Sequence, residues 1–203
     1  MEELSATVNE VIEKMTQIEK ARNLAISDSR NIIRSTKRVI HSIHIGKKDE
    51  EEIEIMTSLM SQMLSSLRNE PDILYGNAVE DAMMEYSEAL LLCAVVDGEK
   101  LPSYKDLKIT PQAWAMGLAD CLGEMRRILL KDLMNSDIKT AEKIFLQMEE
   151  ISDVIMMFDV PDAILPIRRK QDITRGIIER TRSDITNAVV MNKINREFAI
   201  LSK

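Results

Sequence analysis

Between Glu2 and about Ile45 the chain has no glycine or proline, and apolar residues return at steps of three and four. Leu4, Val8, Val11, Ile12, Met15 and Ile18 come first, then Ile32, Ile33, Val39, Ile40 and Ile43. Such spacing keeps one face of a helix apolar. The pattern predicts one very long helix, stopped by Gly46, that packs lengthwise against other helices. A second helix is predicted from Glu50 to about Arg68, with Met56, Leu59, Met60, Met63, Leu64 and Leu67 inward, and Glu70-Pro71-Asp72 breaks it. A third runs roughly from Tyr75 to Val96 and ends at Asp97-Gly98. After the connection EKLPSYKDLKI, Thr110-Pro111 opens a fourth helix with a capping hydroxyl and a proline at the first helical position. The turn Asn135-Ser136-Asp137 leads to a fifth, Ile138 to Phe158, with Ala141, Ile144, Phe145, Met148, Ile151, Ile155 and Met156 inward. Pro161 and Pro166 bound a short link, and a last long helix from Arg168 carries Ile173, Ile177, Ile178, Ile185, Val189 and Val190. The expected fold is all-α: one domain over residues 1–203, an antiparallel bundle of about six or seven helices with long first and last members.

Composition strengthens the helical reading. Aromatics make up 3% of the chain against 14 Met, 6 Gly and 5 Pro, a balance that disfavours strands. The net charge of −7 excludes a surface that is basic throughout, and leaves room only for a local basic groove. Cys93 and Cys121 lie in apolar helical stretches without a CxxC spacing, which predicts reduced core thiols. The start MEELSATVNE has neither a basic nor an apolar targeting segment, and no apolar run reaches membrane-spanning length. A soluble cytoplasmic chain without a membrane partner is expected. Glycine-rich phosphate loops, zinc motifs and a plausible Ser–His–Asp arrangement are all missing from the sequence.

The third predicted helix contains an anomaly. Ala89 to Val96 is apolar on every side, which predicts burial, yet Asp81, Glu85 and Glu88 share one face leading into it. Carboxylates entering low dielectric need a cation or a proton. The fourth helix presents Asp120 and Glu124 one turn apart, flanked by small residues such as Ala113, Gly117 and Gly123. Two such pairs facing each other make an all-oxygen pocket suited to Mg²⁺ or Mn²⁺, and a metal there implies hydrolysis of a phosphate ester. The plain alternative is solvated surface: Glu51/Glu54 and Glu150/Asp153 repeat the acidic spacing, and Arg127 and Lys131 could pair with Glu124 as a surface ladder.

A basic stripe forms the second constellation. Arg30, Arg34, Lys37, His41, His44 and Lys48 follow one another at steps of four and three along the first helix, with no acidic residue among them. In an acidic chain this suggests a phosphate track, although a solvated face reads equally well. The candidate nucleic-acid contacts are Arg30, Arg34, Lys37, Arg38, His41, His44 and Arg127. Nothing near His41 and His44 completes a metal site. Arg168, Arg169 and Lys170 at the start of the last helix suggest a partner or phosphate contact.

Three segments carry a family resemblance: SRNIIRSTKRVIHSIH, MEYSEALLL, and MGLADCLGEMRR leading to NSDIKTAEKIFLQMEEI. In this order and spacing, from about Ala21 to about Asn187, the chain resembles the translin superfamily, and within it the Trax (translin-associated factor X) branch. The resemblance implies an all-α bundle that assembles into a hollow octameric barrel around single-stranded nucleic acid. It also implies metal-dependent endoribonuclease activity, with Glu85, Glu88, Asp120 and Glu124 as catalytic acids and Mg²⁺ (or Mn²⁺) ligands. Translin-type chains share Glu124 and Arg127 with this one but lack the Glu-x-x-Glu. The compact chain has no basic N-terminal extension, so a prokaryotic, archaeal-type homo-octamer is expected, with single-stranded RNA as partner and single-stranded DNA as the alternative. Two rival readings stand beside it: a non-catalytic single-stranded RNA- or DNA-binding protein, and an all-α Mg²⁺-dependent nucleotide pyrophosphohydrolase.

Overall fold

The computed structural model describes residues 1–201. Among them are helices α1 (Glu2–His44), α2 (Glu50–Ser66), α3 (Pro71–Leu74), α4 (Asn77–Asp97), α5 (Tyr104–Leu107), α6 (Pro111–Met134), α7 (Ile138–Met156) and α8 (Arg168–Leu201), and no strand. The six long helices are those the periodicity predicts. The two single turns, α3 and α5, arise where the sequence reads as a break and a connection. α2 ends at Ser66, ahead of Pro71, which opens α3, since its missing N–H costs nothing at a first helical position. In the connection, Ser103 and Asp106 close a reciprocal capping box around α5.

Local chemistry sets the other boundaries. Asp49 accepts from Glu52 N (3.0 Å), Thr110 from Ala113 N (3.0 Å) and Asp137 from Thr140 N (3.1 Å), each satisfying an orphan amide at a helix start. Gly98 takes φ 68° at the end of α4, a left-handed conformation that suits glycine. The connection beyond it returns the chain to the start of α4, where Thr110 Oγ1 donates to Glu80 Oε1 at 2.5 Å. α6 therefore begins beside the beginning of α4.

Two apolar clusters fill the bundle, and α4 contributes to both. Its Val79, Ala82, Met83, Tyr86, Ala89 and Cys93 join α1 and the methionines Met56, Met60 and Met63 of α2. Its Leu91, Leu92 and Val95 join Leu118, Leu122, Met125 and Leu129 of α6, with α7 and α8 behind them. Burial on both sides explains the all-round apolar stretch of α4. It ends one residue early, for Val96 is 51% exposed. Cys93 and Cys121 are buried, free thiols.

Among the described residues nothing covers the apolar stripe at the start of α1. Leu4, Val8, Val11, Ile12 and Met15 are all exposed, whereas Ala25, Ile32 and Val39 on the continuing stripe are buried. Among the described residues no helix is long and apolar enough to cross a membrane.

Candidate active site

The site begins with a missing side chain. A β-carbon at Gly117 of α6 would lie 2.7 Å from the Met84 carbonyl oxygen, 2.8 Å from Ser87 Cβ and 3.0 Å from Glu88 N. Only glycine permits that approach. It brings α6 against the turn of α4 that carries Glu85 and Glu88, and the next turns of α6 then present Asp120 and Glu124 to them. Glu85, Glu88 and Glu124 line a cleft of about 390 Å³, closed on one side by Lys37, Ile40 and His41 of α1 and bordered by Arg127.

Asp120 completes the set from the side. Both of its carboxylate oxygens accept from the Nζ of Lys170, at the start of α8. Glu124 Oε2 accepts from Nε2 of His44, and Arg127 Nη1 stands 3.9 Å from the same oxygen. Lys131 turns away from the acids and donates to the His44 carbonyl oxygen at 2.7 Å.

Charge crowding is greatest on α4. Burial, then Asp120, Glu85 and Glu124, push the Glu88 carboxyl up to about 8, with Lys170 offsetting part of the rise. Burial raises Glu85 as well; Lys37 opposes the rise, and Asp120 and Asp81 add to it. Beneath the cleft, burial and then Glu88 and Glu124 push up the Cys121 thiol, which keeps it protonated and inert. Burial, more than any one neighbouring charge, sets these shifts, although Lys37, Lys170 and Arg127 stand close by.

This donor set, four carboxylates acting on one another, fits a hard divalent cation. Among the described residues, however, no three His, Cys, Asp or Glu side chains are drawn together closely enough to hold one. Lys170 and His44 engage the two acids of α6 instead.

The basic stripe divides. Arg30, Arg34, Lys37 and His41 are exposed along α1, and the last two line the cleft. Two candidate contacts are engaged within the chain. His44 has a side chain only 7% exposed and serves Glu124, so it offers no surface to a phosphate. Arg38 is engaged by Glu52 of α2 at 2.7 Å. Lys48 likewise pairs with Asp97 (2.7 Å) and Glu50 (2.9 Å).

Lys170 is the site residue that the sequence reading assigned elsewhere. Its signal was periodicity: Gln171, Thr174, Ile178, Thr181 and Ile185 are buried along α8, and Lys170 lies one turn before Thr174 at the edge of that stripe. Its neighbour Gln171 fixes the helix start by donating to the carbonyls of Ile155 (3.0 Å) and Phe158 (2.9 Å).

Comparison with known proteins follows the same lines. The profile of the translin family matches residues 6–181. An uncharacterised protein of Methanocaldococcus jannaschii is 31% identical over 192 residues, covering 93% of this chain and 84% of its own length. The structure of AfC3PO in complex with duplex RNA superposes with a TM-score of 0.85 at 32% identity, over 91% of this chain and 97% of that one. The crystal structure of apo-NeC3PO, at 21% identity, shares the fold with a TM-score of 0.81 over 89% of this chain and 96% of that one.

Proposed function

Because the chain belongs to the translin family, we propose that it is a Trax-like, metal-dependent endoribonuclease that cleaves single-stranded RNA inside a homo-oligomeric, octameric cage. One observation carries the reading: Glu85 and Glu88 of α4 and Glu124 of α6 line one cleft with a basic rim, and Asp120 lies one turn before Glu124 on α6. Glu85, Glu88, Asp120 and Glu124 would hold Mg²⁺ (or Mn²⁺). Such an ion supplies a water of lowered pKa and neutralises charge on the phosphodiester.

The chain's own residues do the rest. Arg30, Arg34, Lys37 and His41 guide the phosphate backbone along α1 towards the cleft, and Arg127 meets it at the far edge. His44 orients Glu124, and Lys131 holds the end of α1 in place through the His44 carbonyl. Gly117 keeps the two acidic faces close. The uncovered stripe Leu4–Met15 supports the cage, because a second copy of the chain is a natural cover for it.

A second reading, RNA binding without cleavage, is favoured by the engagement of Asp120 and Glu124 with Lys170 and His44. The AfC3PO complex holds duplex RNA, so the test includes both strand forms. Purified protein is incubated with labelled single-stranded RNA, duplex RNA and free nucleotides, in Mg²⁺ or EDTA. Internal cleavage of single strands that needs Mg²⁺ is expected. Binding without cleavage under every condition would establish the second reading, and turnover of free nucleotides alone would point to a pyrophosphohydrolase.

A further inference from the structure

We propose that Lys170 is a built-in counterion of the acidic cleft, one that a divalent metal must displace from Asp120 in order to bind. The inference rests on the metal-site reading above and adds its regulation. Nζ of Lys170 contacts both oxygens of Asp120, so a cation that reaches this carboxylate meets an ammonium already seated on it. An ammonium and a metal ion compete for that carboxylate, because like charges a few ångströms apart repel strongly in a partly buried cleft. Both side chains are largely covered, at 21% and 31% exposed, so water screens the pair only in part.

The fold prepares Lys170 for this exchange. Ile167 is fully buried and Gln171 is tied to the end of α7, so the backbone on either side of Lys170 is anchored. The four-carbon side chain can leave Asp120 while its helix stays where it is. The arrangement keeps one positive charge beside Glu85, Glu88 and Asp120 when metal is scarce, and that limits their repulsion of an RNA phosphate. It also raises the metal concentration at which the cleft fills.

Two measurements on the full chain test this. Mn²⁺ binding is titrated by electron paramagnetic resonance for the wild type, Lys170→Met and Lys170→Arg. Removing one like charge beside a divalent ion should tighten Mn²⁺ binding by about tenfold in Lys170→Met, and Lys170→Arg should bind no more tightly than the wild type. In the wild type, acetylation of Lys170 is followed by mass spectrometry with and without Mn²⁺, so the test survives if Lys170→Met fails to fold. Displacement predicts faster acetylation of Lys170 in saturating Mn²⁺. Unchanged or weaker Mn²⁺ binding by folded Lys170→Met, or an acetylation rate that saturating Mn²⁺ leaves the same, overturns the displacement while leaving the metal site intact. If neither wild type nor Lys170→Met binds Mn²⁺, the metal site itself is refuted, and this inference with it.

Discussion

The two acidic pairs of the cleft face the same problem and solve it differently. On α6, Asp120 and Glu124 each receive an N–H donor from a distant helix, Lys170 from α8 and His44 from α1. Among the described residues Glu85 and Glu88 of α4 receive none, and burial keeps the proton on Glu88 up to about 8. Acids of similar spacing in one pocket are thus compensated by a partner on one wall and by protonation on the other. Burial weighs most on the acids of α4, and an added cation would relieve that wall most.

The largest effect should be on cleavage, and it should erase the contrast. Glu88→Gln and Asp120→Asn each remove a prospective metal ligand, so single-turnover cleavage in Mg²⁺ should drop about a hundredfold to a thousandfold in both. RNA binding should persist. An acidic variant that still cuts would make its carboxylate structural.

Next in size is the rim. Replacing Arg30, Arg34 and Lys37 together by Ala should weaken RNA binding by roughly tenfold to a hundredfold and flatten the log–log salt slope by about two, since single strands release about 0.7 counterion per phosphate contact. Cleavage at saturating RNA should fall much less than affinity. An unchanged salt slope would move the entry path away from α1.

Stability should then separate the two walls. Asp120→Asn leaves the Lys170 ammonium half-buried without its carboxylate and should cost about 1–3 kcal/mol in metal-free protein, measured by urea unfolding. Glu88→Gln removes a group already short of compensation and should cost nothing or stabilise. Equal losses in both variants would contradict the asymmetry.

A pH series sharpens the same point. The folded state holds the Glu88 proton up to about 8, whereas the unfolded chain releases it near 4.5. The folded form therefore binds more protons across that window, and stability in EDTA should decline as pH rises through it. Glu85, Asp120 and Glu124 face the group with negative charge and Lys170 with positive. Glu88→Gln should flatten this part of the melting curve, while Asp120→Asn should keep a slope. The smallest effect belongs to Arg38→Ala, which should change RNA affinity by no more than about twofold because Glu52 already holds the guanidinium.

Much of this was legible in the sequence, for local reasons. Helix limits followed from Thr110-Pro111, Asp97-Gly98 and the apolar period, since caps and periodicity depend on neighbours in the chain. The facing of Glu85 and Glu88 along α4 was legible on the same grounds. Arg127 beside Glu124 was legible too, but the distant partners of the acids were not. His44 sits in a basic stripe that looks uniform until α6 covers its end, and Lys170 belongs to a basic cluster whose other members, Arg168 and Arg169, stay exposed. Periodicity names the face a residue occupies; what lies against that face is decided by the tertiary fold. The first half of α1 makes the same point in reverse, an apolar stripe that α4 and α2 leave uncovered.

Gly117 has a consequence for how the cleft tolerates change. Where two main chains touch, the gap between the walls is a hard stop and not an average over rotamers. Substitutions among the buried methionines of α2 can lower the melting temperature while the distance between the acids of α4 and α6 stays the same. Tolerance to mutation and fidelity of the cleft are therefore set in different parts of the molecule, and drift in the α2 core can accumulate without detuning the chemistry.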